Sequence, residues 1–344
     1  MSRVAVALSG GVDSAVVAAL LLEQGHDVVG ITGKMTESEF SELDVQNSQK
    51  VAGKLGIELH VIDATKEFNK HVIKYFENSY RNGETPNPCI MCNKHIKWGT
   101  LFEYAIKTLN CDYIATGHYA NIKCDSGTYK LFPASDEHKD QLYFLFSLTQ
   151  EHLSKTIFPL SEYKKTEVRT LAEKFNLPPK SAKESQDICF INAPMTTKKY
   201  LTSILENKKG NFVEYNTGKI LGQHDGYWQY TVGQRKGIGL AAPEALYVIK
   251  TDSDTNTVYV GYKNELISKG LELHNFLWSY PKKDAEFEAL VKIRYNMQPV
   301  KAHIYNQKDN IIIKFLEKVS GIASGQACVL YDIKDGHLLG GGFI

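Results

Sequence analysis

The chain has 344 residues, of which 43% are hydrophobic and 23% are charged, and its formal net charge is +1. These values fit an ordinary globular protein with two or three domains, and the near-zero charge by itself gives no sign of a nucleic-acid partner, although it does not exclude a local basic face. No apolar run is long enough to span a bilayer, and residues 1–8 resemble a buried strand instead of a signal peptide, so we expect a cytoplasmic protein.

The first half of the chain alternates between strand patterns and helix patterns. The predicted strands are residues 4–8, 27–32, 58–62 and 112–116. The predicted helices are residues 13–24, 46–55, 66–81 and 95–109. Because strands separated by helix-length segments form crossover units, this order predicts an α/β domain with a doubly wound, mostly parallel sheet.

The second half changes character at about Gly210, where short β-rich runs and turn signals such as Asp335-Gly336 begin. The runs are residues 246–251, 258–262, 287–295, 302–305, 311–315 and 327–331. They predict small, barrel-like β domains. We therefore divide the chain into an α/β domain at residues 1–195, a central β-rich domain at 196–265 and a C-terminal β-barrel domain at 266–344.

The sequence Ser-Gly-Gly-Val-Asp-Ser at residues 9–14 lies between the first strand and the first helix. Adjacent glycines let the backbone approach a ligand closely, and the N–H groups at a helix N-terminus bind anions. Ser9 and Ser14 offer hydroxyl donors, and Asp13 could hold magnesium. A plain glycine turn capped by Asp13 is the alternative. No lysine follows the glycines, so the loop is not a Walker A motif, and we predict a different phosphate-binding loop.

A second candidate position follows the strand at residues 112–116. Gly117 and His118 come directly after it, and ligands of open parallel sheets bind beyond the carboxyl ends of the strands. We therefore expect both residues to lie on the same rim as the phosphate loop. A packing or helix-capping role is the alternative for His118.

The six cysteines divide into candidates for chemistry and candidates for the core. Cys89 and Cys92 form a C-x-x-C motif, which is compatible with zinc, a redox dithiol, or a nucleophile with a neighbour; zinc is disfavoured because no second ligand pair exists. We expect Cys92 to precede a helix at His95, where the helix dipole and Lys94 would lower its pKa. The apolar residues beside Cys189, taken in isolation, predict a buried core thiol. The core is also predicted for Cys111, Cys124 and Cys328.

The string at residues 9–14 resembles the signature of the pyrophosphatase-loop ATPases, whose fold is adenine nucleotide alpha-hydrolase-like. Members typically cleave ATP between the α and β phosphates and adenylate a carbonyl oxygen. They include nucleotide amidotransferases, NAD synthetases, tRNA lysidine synthetases and sulfur transferases. This resemblance covers the N-terminal half of the chain and does not indicate which of these enzymes the chain resembles most.

The whole chain resembles the tRNA-specific 2-thiouridylase family nearly from end to end. The strings that carry this resemblance are residues 9–14, 85–93, 117–118, 139–141, 185–190, 230–237, 294–295, 324–326 and 339–342. The Gly-Gln-Arg-Lys-Gly string at residues 233–237 and the C-terminal strings lie in the β-rich half. Other pyrophosphatase-loop enzymes lack them, so they discriminate between the members.

This resemblance implies an ATP-dependent sulfurtransferase that replaces the C2 oxygen of the tRNA wobble uridine by sulfur and releases AMP and pyrophosphate, on tRNAs of the Lys, Glu and Gln type. Cys189 corresponds to the residue that receives a persulfide from a sulfur-relay protein or a cysteine desulfurase. Cys92 corresponds to its partner thiol, which releases the sulfur by forming a disulfide with Cys189. The target base must leave the anticodon stack to enter the site.

The resemblance also assigns binding residues, with ATP and Mg²⁺ as the cofactors. Those implied for ATP are Ala7, Leu8, Ser9, Gly10, Gly11, Val12, Asp13, Ser14, Gly33 and Gly117. Those implied for tRNA are Asn87, Pro88, Cys89, His118, Lys139, Asp140, Gln141, Arg294, Tyr295 and Gln326. The chain departs from the family at two of them. Some members have a catalytic Asp at the position of Cys89, which puts the acid/base role of Cys89 in doubt, and many have Met at the position of Gly33.

Three further hypotheses stay open at this point. Cys89, Cys92 and Cys189 could hold an iron–sulfur cluster with one open iron position, where bound hydrosulfide would be the sulfur carrier. The chain could instead be another adenylating enzyme that acts on a small molecule, but the β-rich half and Cys189 would then have no role. A non-catalytic RNA-binding protein is disfavoured by the intact phosphate loop.

Overall fold

The computed structural model describes residues 1–178, 188–192, 194–281, 284–307 and 310–344. Within these ranges, no helix combines the length and the hydropathy needed to cross a membrane.

A five-stranded parallel sheet forms the centre of the N-terminal half. Its strands, together with a separate antiparallel hairpin of β5 and β6, are β1 (Arg3–Ala7), β2 (Asp27–Lys34), β3 (Leu59–Asp63), β4 (Tyr113–Ala115), β5 (Asn121–Asp125), β6 (Thr128–Phe132) and β7 (Thr156–Ile157). The order is β3-β2-β1-β4-β7, with every pairing parallel. The chain runs from β1 outward to β3 and then returns to β4 on the other side of β1. The loops after β1 and β4 therefore meet at the switch point, where such sheets bind ligands.

Helices pack on both faces of this sheet. They are α1 (Val12–Glu23), α2 (Glu39–Leu55), α3 (Thr65–Phe68), α4 (Lys74–Arg81), α5 (Pro88–Cys92), α6 (Gln150–Ser154) and α7 (Lys165–Lys174), and α8 (Thr197–Ile204) follows them. A π-helix at Asn69–Ile73 joins α3 to α4, and two more, at Asn93–Leu101 and Tyr104–Thr108, continue α5. Each of the four predicted helices has a helical counterpart in the predicted order, although the last two are divided into α- and π-helical segments and the structure adds α6, α7 and α8. Helix α2 starts earlier than the sequence pattern suggested, because the Ser38 hydroxyl caps it by accepting from the Ser41 N–H (3.3 Å).

Side chains along β1 point alternately to the two faces of the sheet and contribute to two separate hydrophobic cores. Val4 and Val6 pack toward α1 and Val168 of α7, whereas Ala5 faces the opposite cluster around Trp98. Both sides of a parallel strand are thus covered, as its continuous apolar run predicts. The phosphate loop that follows β1 is consequently anchored between two packed layers.

The second half contains two β-rich units. The first has four strands in the order β10-β11-β8-β9, namely β8 (Gly210–Glu214), β9 (Ile220–His224), β10 (Tyr247–Asp252) and β11 (Thr257–Gly261). The second is a seven-stranded antiparallel sheet in the order β12-β16-β15-β14-β17-β18-β13, namely β12 (Ile267–His274), β13 (Leu277–Trp278), β14 (Glu286–Lys292), β15 (Val300–Gln307), β16 (Asn310–Ser320), β17 (Ala327–Asp332) and β18 (Leu338–Phe343). Because β12 also contacts β18, this sheet curls into a partly closed barrel, and the predicted fold class is confirmed.

The C-terminal barrel packs directly on the α/β half. The hydroxyl of Tyr143 donates to the carbonyl of Ala327 (2.8 Å), and the hydroxyl of Ser279 is within hydrogen-bond distance of the Phe146 and Leu148 carbonyls (2.9 and 2.7 Å). Residues of both halves share one buried apolar cluster. The barrel can therefore hold loops of the α/β half in position.

Candidate active site

The phosphate loop is held in a conformation that requires glycine at residue 10. Gly10 has φ +67°, and a Cβ there would lie 2.7 Å from Asn47 Cβ and 2.9 Å from the carbonyl oxygen of Asp44. The loop is closed internally, because the Ser9 N–H donates to Ser14 Oγ (3.2 Å) and Ser14 Oγ donates to the Gly11 carbonyl (3.1 Å). The following N–H groups of α1 form the anion-binding end of a twelve-residue helix.

Asp13, in the first turn of α1, contacts a lysine from a distant part of the chain. The ammonium of Lys165 lies 2.6 and 2.8 Å from the two carboxylate oxygens of Asp13, and the hydroxyl of Tyr119 donates to Oδ1 (3.2 Å). Lys165 is only 7% exposed and is the first residue of α7. Our sequence analysis missed it. The sequence feature that could have indicated it is a lysine at the start of the helix that follows the fifth parallel strand, because such helix starts lie on the same rim of the sheet as the phosphate loop.

The loop after β4 packs against the phosphate loop as expected. A Cβ at Gly117 would lie 3.0 Å from both the Asp13 Cβ and the Ser14 backbone nitrogen, so the close approach of the two loops depends on glycine at this position. His118 comes next and is buried. The sheet topology thus brings Gly117 and His118 beside the phosphate loop.

His118 is fixed by two hydrogen-bonding partners. Its Nδ1 lies 2.8 Å from Thr116 Oγ1, and its Nε2 lies 3.1 Å from Lys97 Nζ. Burial, followed by the charge of Lys97, holds the pKa of His118 well below its usual range, so the ring is neutral. An ammonium can only donate, so Nε2 accepts from Lys97 and we assign the ring proton to Nδ1. Lys97 is a second residue that our sequence analysis missed.

The prediction for Cys92 was wrong in two respects. The helix begins at Pro88, with Asn87 at its N-cap, so Cys92 is the last residue of α5 and not the residue before a helix. Burial raises the pKa of Cys92, and Lys97 partly offsets that effect. The dipole argument fails because the chain continues from Cys92 directly into the π-helix, which leaves no helix N-terminus next to the thiol.

Cys89 and Cys189 lie near Cys92 and are exposed, so the core interpretation of Cys189 was wrong. Although both residues reach the surface, the surrounding protein removes enough water to raise the pKa of Cys89, and it raises that of Cys189 to about 12; the Cys92 and Cys89 thiols contribute to the shift of Cys189. Phe190 packs edge-on against Phe76 (ring centroids 5.4 Å apart) and anchors this segment. Ser185, Gln186 and Asp187, the start of this motif, lie outside the described residues.

The remaining cysteines divide as follows. Cys111 and Cys328 are buried, as predicted, but Cys124 is exposed on the β5 hairpin, so the core prediction for it was wrong. All six cysteines are free thiols in this structure.

The loop that leads into α5 is held by both β-rich units. The Gln326 side-chain amide donates to the Thr85 carbonyl (2.7 Å), and the Thr85 N–H donates to the Ser324 carbonyl (2.8 Å). From the four-stranded unit, the Thr251 hydroxyl donates to the Gly83 carbonyl (2.8 Å). These contacts position Asn87, Pro88 and Cys89, which follow directly.

The other residues assigned to tRNA lie in two places. Tyr295 donates its hydroxyl to the Asp140 carbonyl (3.0 Å), and the Gln141 side chain accepts from the Tyr119 N–H (3.1 Å), so residues 139–141 lie close to the phosphate loop. Arg294 instead donates to the carbonyls of Val232 and Gly321 (2.7 and 2.5 Å), which joins the two β-rich units.

Gly33 lies near the end of β2, beside a methionine. A Cβ there would be 2.9 Å from the Met35 methyl carbon, so the Met35 side chain covers the position at which many family members carry Met. Ala7, Leu8 and Val12 complete the loop region, between the last residue of β1 and the first residue of α1.

Comparisons with known proteins match all three parts of the chain. Residues 2–193 match the tRNA methyl transferase HUP domain family, residues 198–262 the tRNA methyl transferase PRC-barrel domain family, and residues 268–344 the aminomethyltransferase beta-barrel domain family. A solved structure of the U34-tRNA thiolase NcsA from Methanococcus maripaludis is similar at a TM-score of 0.37 and 24% identity, covering 59% of this chain and 65% of that chain.

Curated relatives are similar over almost their whole length. The tRNA-specific 2-thiouridylase MnmA of Carboxydothermus hydrogenoformans is 43% identical, covering 99% of this chain and 97% of the relative. That of Gloeothece citriformis is 41% identical, covering 100% and 99%. That of Geotalea uraniireducens is 42% identical, covering 99% and 94%. The expected resemblance is confirmed, and the chain belongs to the tRNA-specific 2-thiouridylase family.

Proposed function

We propose that this protein is an ATP-dependent sulfurtransferase that replaces the C2 oxygen of the tRNA wobble uridine by sulfur, on tRNAs of the Lys, Glu and Gln type. One observation carries the proposal. Gly117 packs on the phosphate loop, and the adjacent His118 contacts Lys97, which belongs to the helix that continues from Cys92. An adenylating loop and a group of thiols can therefore act on the same bound base.

The first step is adenylation of the base. The N–H groups at residues 9–14 bind the phosphates of ATP, and Met35 beside Gly33 supplies apolar contact to the adenine. The uridine C2 oxygen attacks the α-phosphorus, a new O–P bond forms, and the bond to the bridging oxygen breaks so that pyrophosphate leaves. The Asp13 carboxylate and the Ser9 and Ser14 hydroxyls are a donor set that suits Mg²⁺, which would neutralise phosphate charge.

Sulfur transfer follows, on a persulfide that a donor protein has formed on Cys189. Its terminal sulfur attacks C2, the C–S bond forms, and the C–O bond breaks as AMP leaves with the oxygen. The Cys92 thiol then loses its proton to solvent and attacks the Cys189 sulfur, which forms a Cys92–Cys189 disulfide and leaves the electron pair of the broken S–S bond on the thiocarbonyl sulfur. An external dithiol must reduce this disulfide before the next turnover.

The tRNA-binding residues extend from the site in two directions. Asn87, Pro88 and Cys89 lie where the flipped base must enter, and residues 139–141 with Tyr295 lie on the phosphate-loop side. Because burial raises the pKa of Cys89, this thiol keeps its proton at neutral pH and cannot act there as a base. The base function that the resemblance gives to Asp at this position in some family members therefore has no equivalent in Cys89.

An iron–sulfur cluster is the competing sulfur route. Three thiols are suitable donors for a cluster with one open iron position. Among the described residues, the three side chains whose ligand atoms lie close enough to hold one metal ion together are Asp332, Asp335 and His337, and the three cysteines do not form such a group. Iron content and visible absorbance of protein purified without oxygen separate the two routes. An active, iron-free and colourless protein supports the persulfide.

The test of the function is thiolation of an unmodified tRNA-Lys transcript with ATP, Mg²⁺ and either sulfide or a persulfide donor. Mercury-retarded electrophoresis and nucleoside mass spectrometry should show 2-thiouridine at the wobble position. Asp13→Asn is the matched control, because it retains the loop and removes the carboxylate. Absence of thiolation with both donors, beside a competent thiolase, would refute the proposal. ATP–pyrophosphate exchange without tRNA would then favour a small-molecule substrate.

A further inference from the structure

Lys97 connects the phosphate-loop side of the candidate site, through His118, with the helix that continues from Cys92. It lies in the π-helix Asn93–Leu101, which continues directly from Cys92. The i→i+5 hydrogen bonds of a π-helix widen each turn, so residue 97 lies on nearly the same face as residue 92. In an α-helix the same two residues would point in widely different directions. The local helix type therefore places Lys97 on the side of the helix that carries Cys92.

The Lys97 ammonium is held in place by His118. The ring accepts from Lys97 through Nε2 and is itself fixed by Thr116 through Nδ1. Packing against Trp98 (ring centroids 5.3 Å apart) further restricts the ring. A neutral acceptor orients the ammonium without cancelling its charge, as a carboxylate partner would.

The electrostatic effect of Lys97 reaches all three thiols. Its charge lowers the pKa of Cys89, of Cys92 and of Cys189, in each case against the larger opposing effect of desolvation. The persulfide attack carries a negative sulfur into this partly desolvated region. A fixed cation at this place lowers the free energy of that charge more than it would in water.

Building on the thiolation proposed above, we propose that the ammonium of Lys97, oriented by neutral His118, neutralises the negative sulfur during its attack on the adenylated base. Lys97 forms and breaks no bond in this role, so the balance of bonds and electrons in sulfur transfer is unchanged.

The experiment separates adenylation from sulfur transfer. Lys97→Gln keeps a hydrogen-bond donor toward His118 but removes the charge, whereas Lys97→Arg keeps the charge. Lys94→Gln, three residues earlier in the same π-helix, is the control. We expect Lys97→Gln to retain tRNA-dependent pyrophosphate release and to slow single-turnover sulfur transfer from persulfidated enzyme about 100-fold, the usual cost of one preorganised charge-stabilising group. Lys97→Arg should recover most of the rate, and Lys94→Gln should match the unmodified protein.

A second measurement does not depend on the proposed function. Iodoacetamide should alkylate Cys92 more slowly in Lys97→Gln than in Lys94→Gln, because less of the thiol is ionised. An unmodified protein that makes no 2-thiouridine would refute the function, while the alkylation rates would still test Lys97. Equal alkylation in both variants, full-rate sulfur transfer by Lys97→Gln, or loss of adenylation together with sulfur transfer in that variant, would each overturn the role of Lys97.

Discussion

The Lys165 ammonium lies between the two carboxylate oxygens of Asp13, at 2.6 and 2.8 Å, although 152 positions separate the two residues. Asp13 lies in the first turn of α1 and Lys165 begins α7, and these helices pack together beside the same face of the sheet. The pair supplies a cation next to a phosphate loop that has no lysine of its own. When ATP and Mg²⁺ arrive, Asp13 can bind the metal and Lys165 can turn to the phosphates.

This relationship predicts that Lys165→Met loses adenylation. Removing one preorganised cation that stabilises the leaving pyrophosphate should lower tRNA-dependent pyrophosphate release by about 100-fold or more. Affinity for tRNA, measured by filter binding, should stay near that of the unmodified protein. Lys174→Met is the control on the same helix, because Lys174 is exposed and its pair with Glu23 contributes little. Normal pyrophosphate release by Lys165→Met would show that Lys165 only pairs with Asp13.

Gly10 should not tolerate a side chain. In Gly10→Ala, a left-handed backbone adds about 1–2 kcal/mol of strain, and the new methyl group meets Asn47 and the backbone of Asp44. Gly127→Ala carries the backbone strain alone, because Gly127 also has a positive φ but has open space around it. The difference between the two variants therefore measures the steric clash. We expect chemical denaturation to show a larger loss for Gly10→Ala than for Gly127→Ala, and ATP binding to be lost only in the former. Similar losses in both variants would contradict the packing argument.

Gln326 could act either by positioning the loop before α5 or by contacting tRNA directly, and one substitution distinguishes the two roles. Gln326→Ala removes the bond to Thr85 that holds the loop before α5. If the residue positions that loop, kcat for thiolation falls about tenfold, the cost of one typical hydrogen bond, while the KM for tRNA is unchanged. A raised KM with unchanged kcat would instead indicate contact with tRNA. Gln307→Ala, at an exposed position of the same barrel, is the control.

The Cys189 thiol should react slowly at neutral pH. Its pKa is raised to about 12, so the protonated form dominates well above neutrality and the thiolate fraction grows with pH across the whole measurable range. Alkylation of Cys189 should therefore accelerate about tenfold per pH unit from pH 7 to 10, whereas a free cysteine levels off near pH 8.5. Mass spectrometry of the labelled peptide measures this. A plateau near pH 8.5 would contradict the raised pKa.

Cys92→Ser should separate a single turnover from repeated turnover. The variant retains the persulfide on Cys189 but cannot form the disulfide that releases the sulfur, so it should bind tRNA and stall after the C–S bond forms. Quenched-flow assays with a persulfide donor should show the stalled adduct and little free 2-thiouridine. Multiple turnovers at the normal rate without added reductant would exclude the assigned role.

The sequence by itself determined the local chemistry of this protein. Residues 9–14 predict a phosphate loop, because glycines and a helix start act through a few consecutive residues, and the spacing of apolar residues predicts the parallel sheet and the later β-rich units. The full-length resemblance adds the prediction that Cys92 and Cys189 are the sulfur-handling pair. The division at residues 195 and 265 stays a prediction.

Only the tertiary structure decided which distant residues act together. Lys165 reaches Asp13 because α7 packs on α1, Lys97 contacts His118 because the loop after β4 lies beside the helix that continues from Cys92, and Gln326 reaches Thr85 because the barrel docks on the α/β half. The pKa of Cys92 was predicted in the wrong direction for the same reason. Desolvation and Coulomb effects depend on distances between atoms in three dimensions, and those distances are set by packing instead of by position along the chain.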